Sequence, residues 1–312
     1  MSANNREDVT FTSTDGTTTV QAYLWKPEGQ PKGVVQLVHG MAEHILRYDP
    51  IALYLAGHGF VVCGHDQVGH GKSVRSPKDR GHLPAKGGAQ ILIGDIDRMR
   101  RLTLTRTDPG LPYFLFGHSM GSFEVRAYIA RSPEGLAGAI ICGTGQLSSA
   151  VASAGRALAE TIAKTHGDRH ISKLLSELTI GGYGKAIAGA QTPFDWLSYD
   201  RDNISTYIAD DLCGFPFTAA ANVALMDLIN LSGSKRNLER IPNGLPLLYV
   251  SGDADPVGEM GNAVRMRAKA AKEAGKTDVT CRIYENRRHE ILNDTGKEEV
   301  MADILKWMED RL

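Results

Sequence analysis

The sequence predicts an α/β fold: a mostly parallel, doubly wound sheet carrying an inserted helical cap. Three observations lead there. Short, continuously apolar runs recur toward both ends of the chain, helix-period stretches separate them, and this alternation lapses between about residues 145 and 234. Continuous apolar runs suit strands covered on both faces. Strands that alternate with helices build a parallel sheet. We therefore expect a core from 1–144 and 235–312, with 145–234 as the helical cap.

The elements follow in order. Residues 9–12 and 18–25 alternate apolar and polar side chains and read as an edge hairpin. Residues 33–38 form a buried strand ending at His39-Gly40, and 60–64 another ending at His65-Asp66. Strands 113–116, 139–142, 247–250 and 280–284 complete the covered sheet. Helices are expected at 51–56, closed by Gly57, at 90–105, and at 119–130, stopping before Ser132-Pro133. Further helices are expected at 264–274, closed by Gly275, and at 297–312, where Val300, Ile304, Leu305 and Met308 share a face. Within the cap, 150–165 and 172–178 read as helices, and 192–199 is an irregular aromatic stretch.

Composition excludes several classes. Hydrophobic residues make up 42% and charged residues 23% of 312, as in ordinary soluble domains. A net charge of −1 supplies no long-range field to gather nucleic acid. The span 145–235 carries seven basic and nine acidic residues, so it is no polybasic membrane patch. Residues 1–8 are polar, so no secretory signal is expected. No run approaches the ~18 apolar residues of a membrane span. Cys63, Cys142, Cys213 and Cys281 are far apart in sequence, which points away from disulfides and zinc and toward a reducing cytoplasm. Cys63 and Cys142 fall in apolar runs and are expected to be inert buried thiols.

The chemistry centres on Gly117-His-Ser-Met-Gly121. A strand precedes Ser119 and a helix follows it, the context that turns a weak pentapeptide into a strand–elbow–helix. Glycines at both flanks are needed where the turn passes close to other backbone. The elbow presents the hydroxyl at the carboxyl edge of the sheet, where open α/β sheets bind ligands. A serine hydroxyl needs a base. His289, after the last strand, has no rival histidine beyond position 170. The orienting acid should come from Ser251-Gly-Asp-Ala-Asp-Pro-Val257, after the penultimate strand. Asp255 is preferred because it lies deeper in the turn, beside Pro256-Val257; Asp253 is the alternative, as a turn-holding aspartate. An oxyanion needs two amide donors. Those expected are the N–H of Met120 and, from the loop after 33–38, the N–H of Met41.

Taken together, His39-Gly-Met-Ala-Glu-His44, His65-Asp-Gln-Val-Gly-His-Gly-Lys-Ser73, Gly117–Gly121, Gly252-Asp-Ala-Asp-Pro-Val-Gly258 and Arg287-Arg-His-Glu-Ile-Leu-Asn-Asp294 resemble, in this order, the monoglyceride lipase and lysophospholipase group of α/β hydrolases. The likeness covers most of the chain, and residues 194–218 resemble the cap of bacterial members. It implies an α/β-hydrolase fold, a Ser119–Asp255–His289 triad and an oxyanion hole from Met41 and Met120. It also implies a small-molecule acyl ester substrate, a monoacylglycerol or lysolipid, with its chain under the cap. Transient contact with a membrane surface fits such a substrate. Ala42 departs from the group, which often has glycine there. A short-chain carboxylesterase is the near alternative and an aminopeptidase on this fold a more distant one. From another class, a non-catalytic binding protein that kept the fold would be expected to have lost a triad member.

Other features read as structure. Gly69-His-Gly-Lys-Ser73 lacks the glycine that a phosphate loop needs at Asp66, so it is expected to be a turn and nucleotide binding is not expected. The histidines at 39, 44, 58, 65, 70 and 82 show no tight ligand spacing, so no metal and no cofactor are expected. Glu43 and His44 are expected to brace the oxyanion loop, and Arg287 and Arg288 to be solvated or loop-bracing. Nothing in the sequence bears on oligomeric state.

Overall fold

The computed structural model describes residues 6–312. The polar start read for secretion, residues 1–5, lies outside the described residues. Eight strands form one sheet: β1 (Arg6–Thr12), β2 (Thr19–Trp25), β3 (Gly33–Val38), β4 (Phe60–His65), β5 (Tyr113–His118), β6 (Gly138–Cys142), β7 (Leu247–Gly252) and β8 (Val279–Tyr284). Their order is β1-β2-β4-β3-β5-β6-β7-β8. The hairpin β1–β2 joins β4 antiparallel, and every later pair is parallel. This is the predicted α/β-hydrolase sheet with its edge hairpin.

The helices are α1 (Asp49–Gly57), α2 (Gly88–Leu104), α3 (Met120–Ile129), α4 (Ser149–His166), α5 (Lys173–Ser176), α6 (Gly182–Lys185), α7 (Arg201–Ala209), α8 (Ala219–Gly233), α9 (Lys235–Arg240), α10 (Asn262–Glu273) and α11 (Lys297–Glu309). Strand periodicity sorts the core into two layers. Val34, Cys63, Leu115, Ile141 and Tyr249 point toward α2, α3, α8 and α10. Their neighbours Val35, Val62, Phe116, Ile140 and Val250 point toward α1 and α11. Every residue of β3 to β7 is buried, as the unbroken apolar runs require.

Three expectations need correction. β8 is an edge strand rather than a covered one, with Thr280, Cys281 and Arg282 exposed. Gly57 does not close α1: the helix includes it, and Gly59 takes the left-handed turn at φ 88°. Helix α11 stops at Glu309, three residues early.

No sheet strand lies between β6 and β7. Side chains start the helices there: Ser148 caps α4, Asp200 caps α7 and Thr218 caps α8. Helix α8 is mostly apolar, with Asp227 turned to Arg156 of α4. Ala221, Ala224, Leu225 and Leu228 join the larger core beside α3, while Ala219 and Val223 pack with Ala159 and Ala163 of α4. By packing, α8 is both a layer of the core and the seat of the helices above it. The turn at Gly69–Ser73 is a local brace: the Asp66 carboxylate accepts from Lys72 N–H (2.8 Å) and Ile45 N–H (3.0 Å).

Candidate active site

Ser119 sits between β5 and α3 with φ 53° and ψ −118°, a left-handed conformation that is costly for a side chain and held by its surroundings. The flanking glycines are obligatory on contact grounds. A Cβ on Gly117 would meet Gly121 O at 2.3 Å, and one on Gly121 would meet Val38 O at 2.2 Å. The amide of Ser119 donates to Cys142 O (3.0 Å), tying the elbow to β6. The hydroxyl-bearing residue is half-buried and lines a cavity of about 320 Å³ that also receives Met41, Met120 and His289.

Asp255 lies in the turn after β7 and is fully buried. One carboxylate oxygen accepts from His289 Nδ1–H and from Val257 N–H, both at 2.9 Å; the other accepts from Ser251 Oγ–H at 2.9 Å. Burial pushes this carboxyl up, but His289, Ser251 and Val257 outweigh it and hold it below the usual aspartate range. Asp253 is half-buried, and its amide donates to Tyr284 O. The carboxylate that reaches His289 is therefore that of Asp255. With Nδ1 donating to a carboxylate, neutral His289 carries its lone pair on Nε2. That atom is buried and has no hydrogen-bond partner among the described residues. The ring is walled by His118 (centroids 4.6 Å apart) and Trp196 (5.0 Å).

A charged hub supports the loop that carries Met41. Glu43 accepts from Gly40 N–H (2.6 Å), Tyr48 Oη–H (2.9 Å) and Arg47 (2.7 Å). Arg47 also donates to Glu290 at 2.7 Å. Burial pushes Glu43 up, yet His118 and Arg47 hold it well below the usual range. His118 Nδ1 stands 3.5 Å from Glu43 Oε1, a charge contact too long for a good hydrogen bond. Burial lowers His118, and Glu43 more than offsets this, raising it. Arg288 braces the turn from which His289 projects: its guanidinium donates to Asp195 O (2.6 Å) and Ser198 O (3.1 Å) and covers the Tyr199 ring.

His118, Arg47, Trp196, Tyr207 and Glu290 line or support this site and were not singled out from sequence. Arg47 and Glu290 each stand within four residues of a singled-out position, so charge inside apolar surroundings was the available signal. Among the described residues, His44, Asp210 and Cys213 bring one ligand atom each within 4.8 Å of one another. His44 Nε2–H donates to Asp210 at 2.8 Å, and the Arg47 guanidinium acts on both Asp210 and Cys213. A neighbouring cation opposes a second one, so this trio reads as a brace.

Comparison with known proteins identifies the family. The family model described as serine aminopeptidase, S33 matches residues 29–296. Monoglyceride lipase of Homo sapiens is 26% identical over 296 residues, covering 92% of this chain and 86% of that protein. Monoacylglycerol lipase of Mycolicibacterium smegmatis is 27% identical over the full length of both. A thermostable carboxyl esterase from Bacillus coagulans, solved with glycerol, superposes with a TM-score of 0.91 at 30% identity, covering 98% of each chain. A match over residues 29–296 on this sheet means that the chain belongs to the serine aminopeptidase S33 family of α/β hydrolases.

Proposed function

We propose that this enzyme cleaves long-chain monoacylglycerols or lysolipids through an acyl-enzyme on Ser119. The observation carrying this is the cavity. Ser119 and His289 line it together with Phe123, Leu147, Leu178, Ile180, Leu225 and Ile229. A mostly apolar pocket with a few convergent polar groups suits one acyl chain and one ester.

The chemistry follows from the atoms. Ser119 Oγ attacks the acyl carbonyl carbon while His289 Nε2 takes its proton. Asp255 holds the imidazole in the required tautomer and stabilises its charged form. The amides of Met41 and Met120 receive the oxyanion. Collapse of the tetrahedral adduct expels the alcohol, which takes the proton from His289. Water then attacks the acyl-enzyme by the same steps, releasing the fatty acid and restoring Ser119.

In this reading the segment 145–234 acts as the cap, with α4 seated on α8, the part of the segment that also packs into the core. Its exposed Leu147, Val151, Leu174 and Leu178 suit brief contact with a lipid surface. Among the described residues, no helix is long and apolar enough to cross a membrane. The four free cysteines suit a reducing compartment such as the cytoplasm. A short-chain carboxylesterase is the second reading, favoured by the likeness to the Bacillus coagulans carboxyl esterase. An aminopeptidase would need a free carboxylate for the substrate's ammonium; of the glutamates lining the cavity, Glu43 and Glu290 are engaged by Arg47, which leaves the exposed Glu259 as the group that would have to serve.

The test is fatty-acid release from 2-monoacylglycerols, lysophosphatidylcholine and short nitrophenyl esters across acyl lengths, with Ser119→Ala as the blank. Preference for long chains supports the proposal. Activity confined to short esters transfers it to the carboxylesterase reading, and no activity on any ester overturns both.

A further inference from the structure

We infer that Tyr207, on the cap helix α7, is a positioning residue for the oxyanion donor Met41, so that the cap sets the geometry of catalysis as well as the shape of the acyl pocket. The inference rests on the ester-hydrolase reading above.

Met41 lies between two pinned peptides. Upstream, Gly40 N–H is held by Glu43. Downstream, Ala42 adopts φ 57° although it carries a Cβ, and it is fully buried. An L-residue does not favour that conformation by itself, so its surroundings must impose it. The contacts that do so come from the cap. Tyr207 Oη–H donates to Ala42 O at 2.9 Å, and Gly214 N–H reaches the same oxygen at 2.9 Å. Gly214 N–H also donates to Tyr207 Oη at 3.1 Å, closing a three-membered network. Two residues on, His44 is held by Asp210 from the same cap loop. Fixing the Ala42 carbonyl fixes the loop's path just past Met41, and with it the direction of the Met41 amide.

The same geometry separates positioning from substrate contact. Tyr207 lines the cavity, yet its hydroxyl already donates to one partner and accepts from another. The ring lies under the Arg47 guanidinium, 4.7 Å away, which ties it to the Glu43 hub as well. A hydroxyl so engaged holds protein rather than the leaving alcohol.

The experiment is Tyr207→Phe, which keeps the ring and removes only the hydroxyl. It is assayed on 4-nitrophenyl acetate and on a long-chain monoacylglycerol, with binding of an alkyl boronic acid measured alongside. The boronate forms a tetrahedral adduct on Ser119 with an oxygen at the oxyanion position. We expect kcat to fall about tenfold on both esters with KM nearly unchanged, below the ~10²–10³ lost when an oxyanion donor is removed outright. Boronate affinity should fall by a similar factor. A rise in KM on the glycerol ester alone, with nitrophenyl acetate turnover and boronate binding intact, would make Tyr207 a substrate contact and overturn the inference. Unchanged kcat on both esters would also overturn it while leaving the ester-hydrolase reading standing. Failure of the unaltered enzyme on both esters would instead remove that reading and this inference with it. If Tyr207→Phe does not fold, Asp210→Ala removes the His44 contact of the same brace, and a smaller kcat loss, again with KM unchanged, is expected on both esters.

Discussion

At Ser119 the hydroxyl and the backbone make separate demands. The elbow needs a small side chain and two glycine neighbours, whereas the chemistry needs only the Oγ. Ser119→Ala should therefore abolish ester turnover and labelling by a fluorophosphonate while leaving the circular dichroism spectrum and melting profile unchanged; retained turnover would mean another nucleophile. The paired aspartates separate as cleanly. Asp255 is buried on His289, whereas Asp253 joins its loop through its amide, which donates to Tyr284 O. Asp255→Asn should lower kcat on the order of 10⁴-fold, and Asp253→Asn far less, as steady-state rates on one ester would tell. The shift on Asp255 also sets a pH dependence. Its folded value lies below its unfolded one, so its contribution to stability is in place above about pH 4 and is lost as pH falls through the folded value. The stability gap between the unaltered protein and Asp255→Asn, followed by urea unfolding, should narrow as the pH drops below about 4.

At the scale of elements, the β5–α3 junction is among the tightest places in the fold. A Cβ on Gly121 would stand 2.2 Å from Val38 O and 2.7 Å from His39 O, which are backbone atoms with no side-chain freedom to yield. Gly121→Ala must push β3 and α3 apart and should cost about 3 kcal/mol, the upper end for overpacking, or prevent folding; a variant as stable as the original in urea would refute the packing. Helix α8 is set by its first residue and its faces together. Thr218 accepts from Ala221 N–H at 3.2 Å. Thr218→Ala should cost about 1 kcal/mol by the same assay.

For the molecule as a whole, the sheet encloses polar groups that the proposed chemistry does not use. Glu124 on α3 is fully buried, and neither carboxylate oxygen has a hydrogen-bond partner among the described residues. Burial raises it well above the usual range, with the charge of Asp95 adding to the effect. The sign is opposite to that of Asp255. The folded group ionises at a higher pH than the unfolded one, whose usual value is 4.5, so its contribution to stability is in place below about pH 4.5 and is lost as pH rises through the folded value. Glu124→Gln should remove this dependence, and its stability advantage should grow from pH 5 to pH 8; an equal difference at both pH values would show that Glu124 is already ionised in the fold.

The sequence by itself determined the strand and helix sequence of the core, the elbow and the loops that carry His289 and its aspartates. Those features are written within a few residues of themselves, as apolar periodicity, glycines where backbone must pass close, and turn residues at strand ends. It did not distinguish β8 as an exposed edge, because Val279-Thr-Cys-Arg-Ile-Tyr284 carries no mark of which strand lies beyond it. The 2.9 Å contact by which Asp255, already preferred from the sequence, reaches His289, the seat of α8 in the core, and the hold of Tyr207 and Gly214 on left-handed Ala42 were visible only in three dimensions. Each joins residues from 34 to 172 positions apart. Such contacts arise from the order of strands and the seating of helices, and no local pattern encodes them.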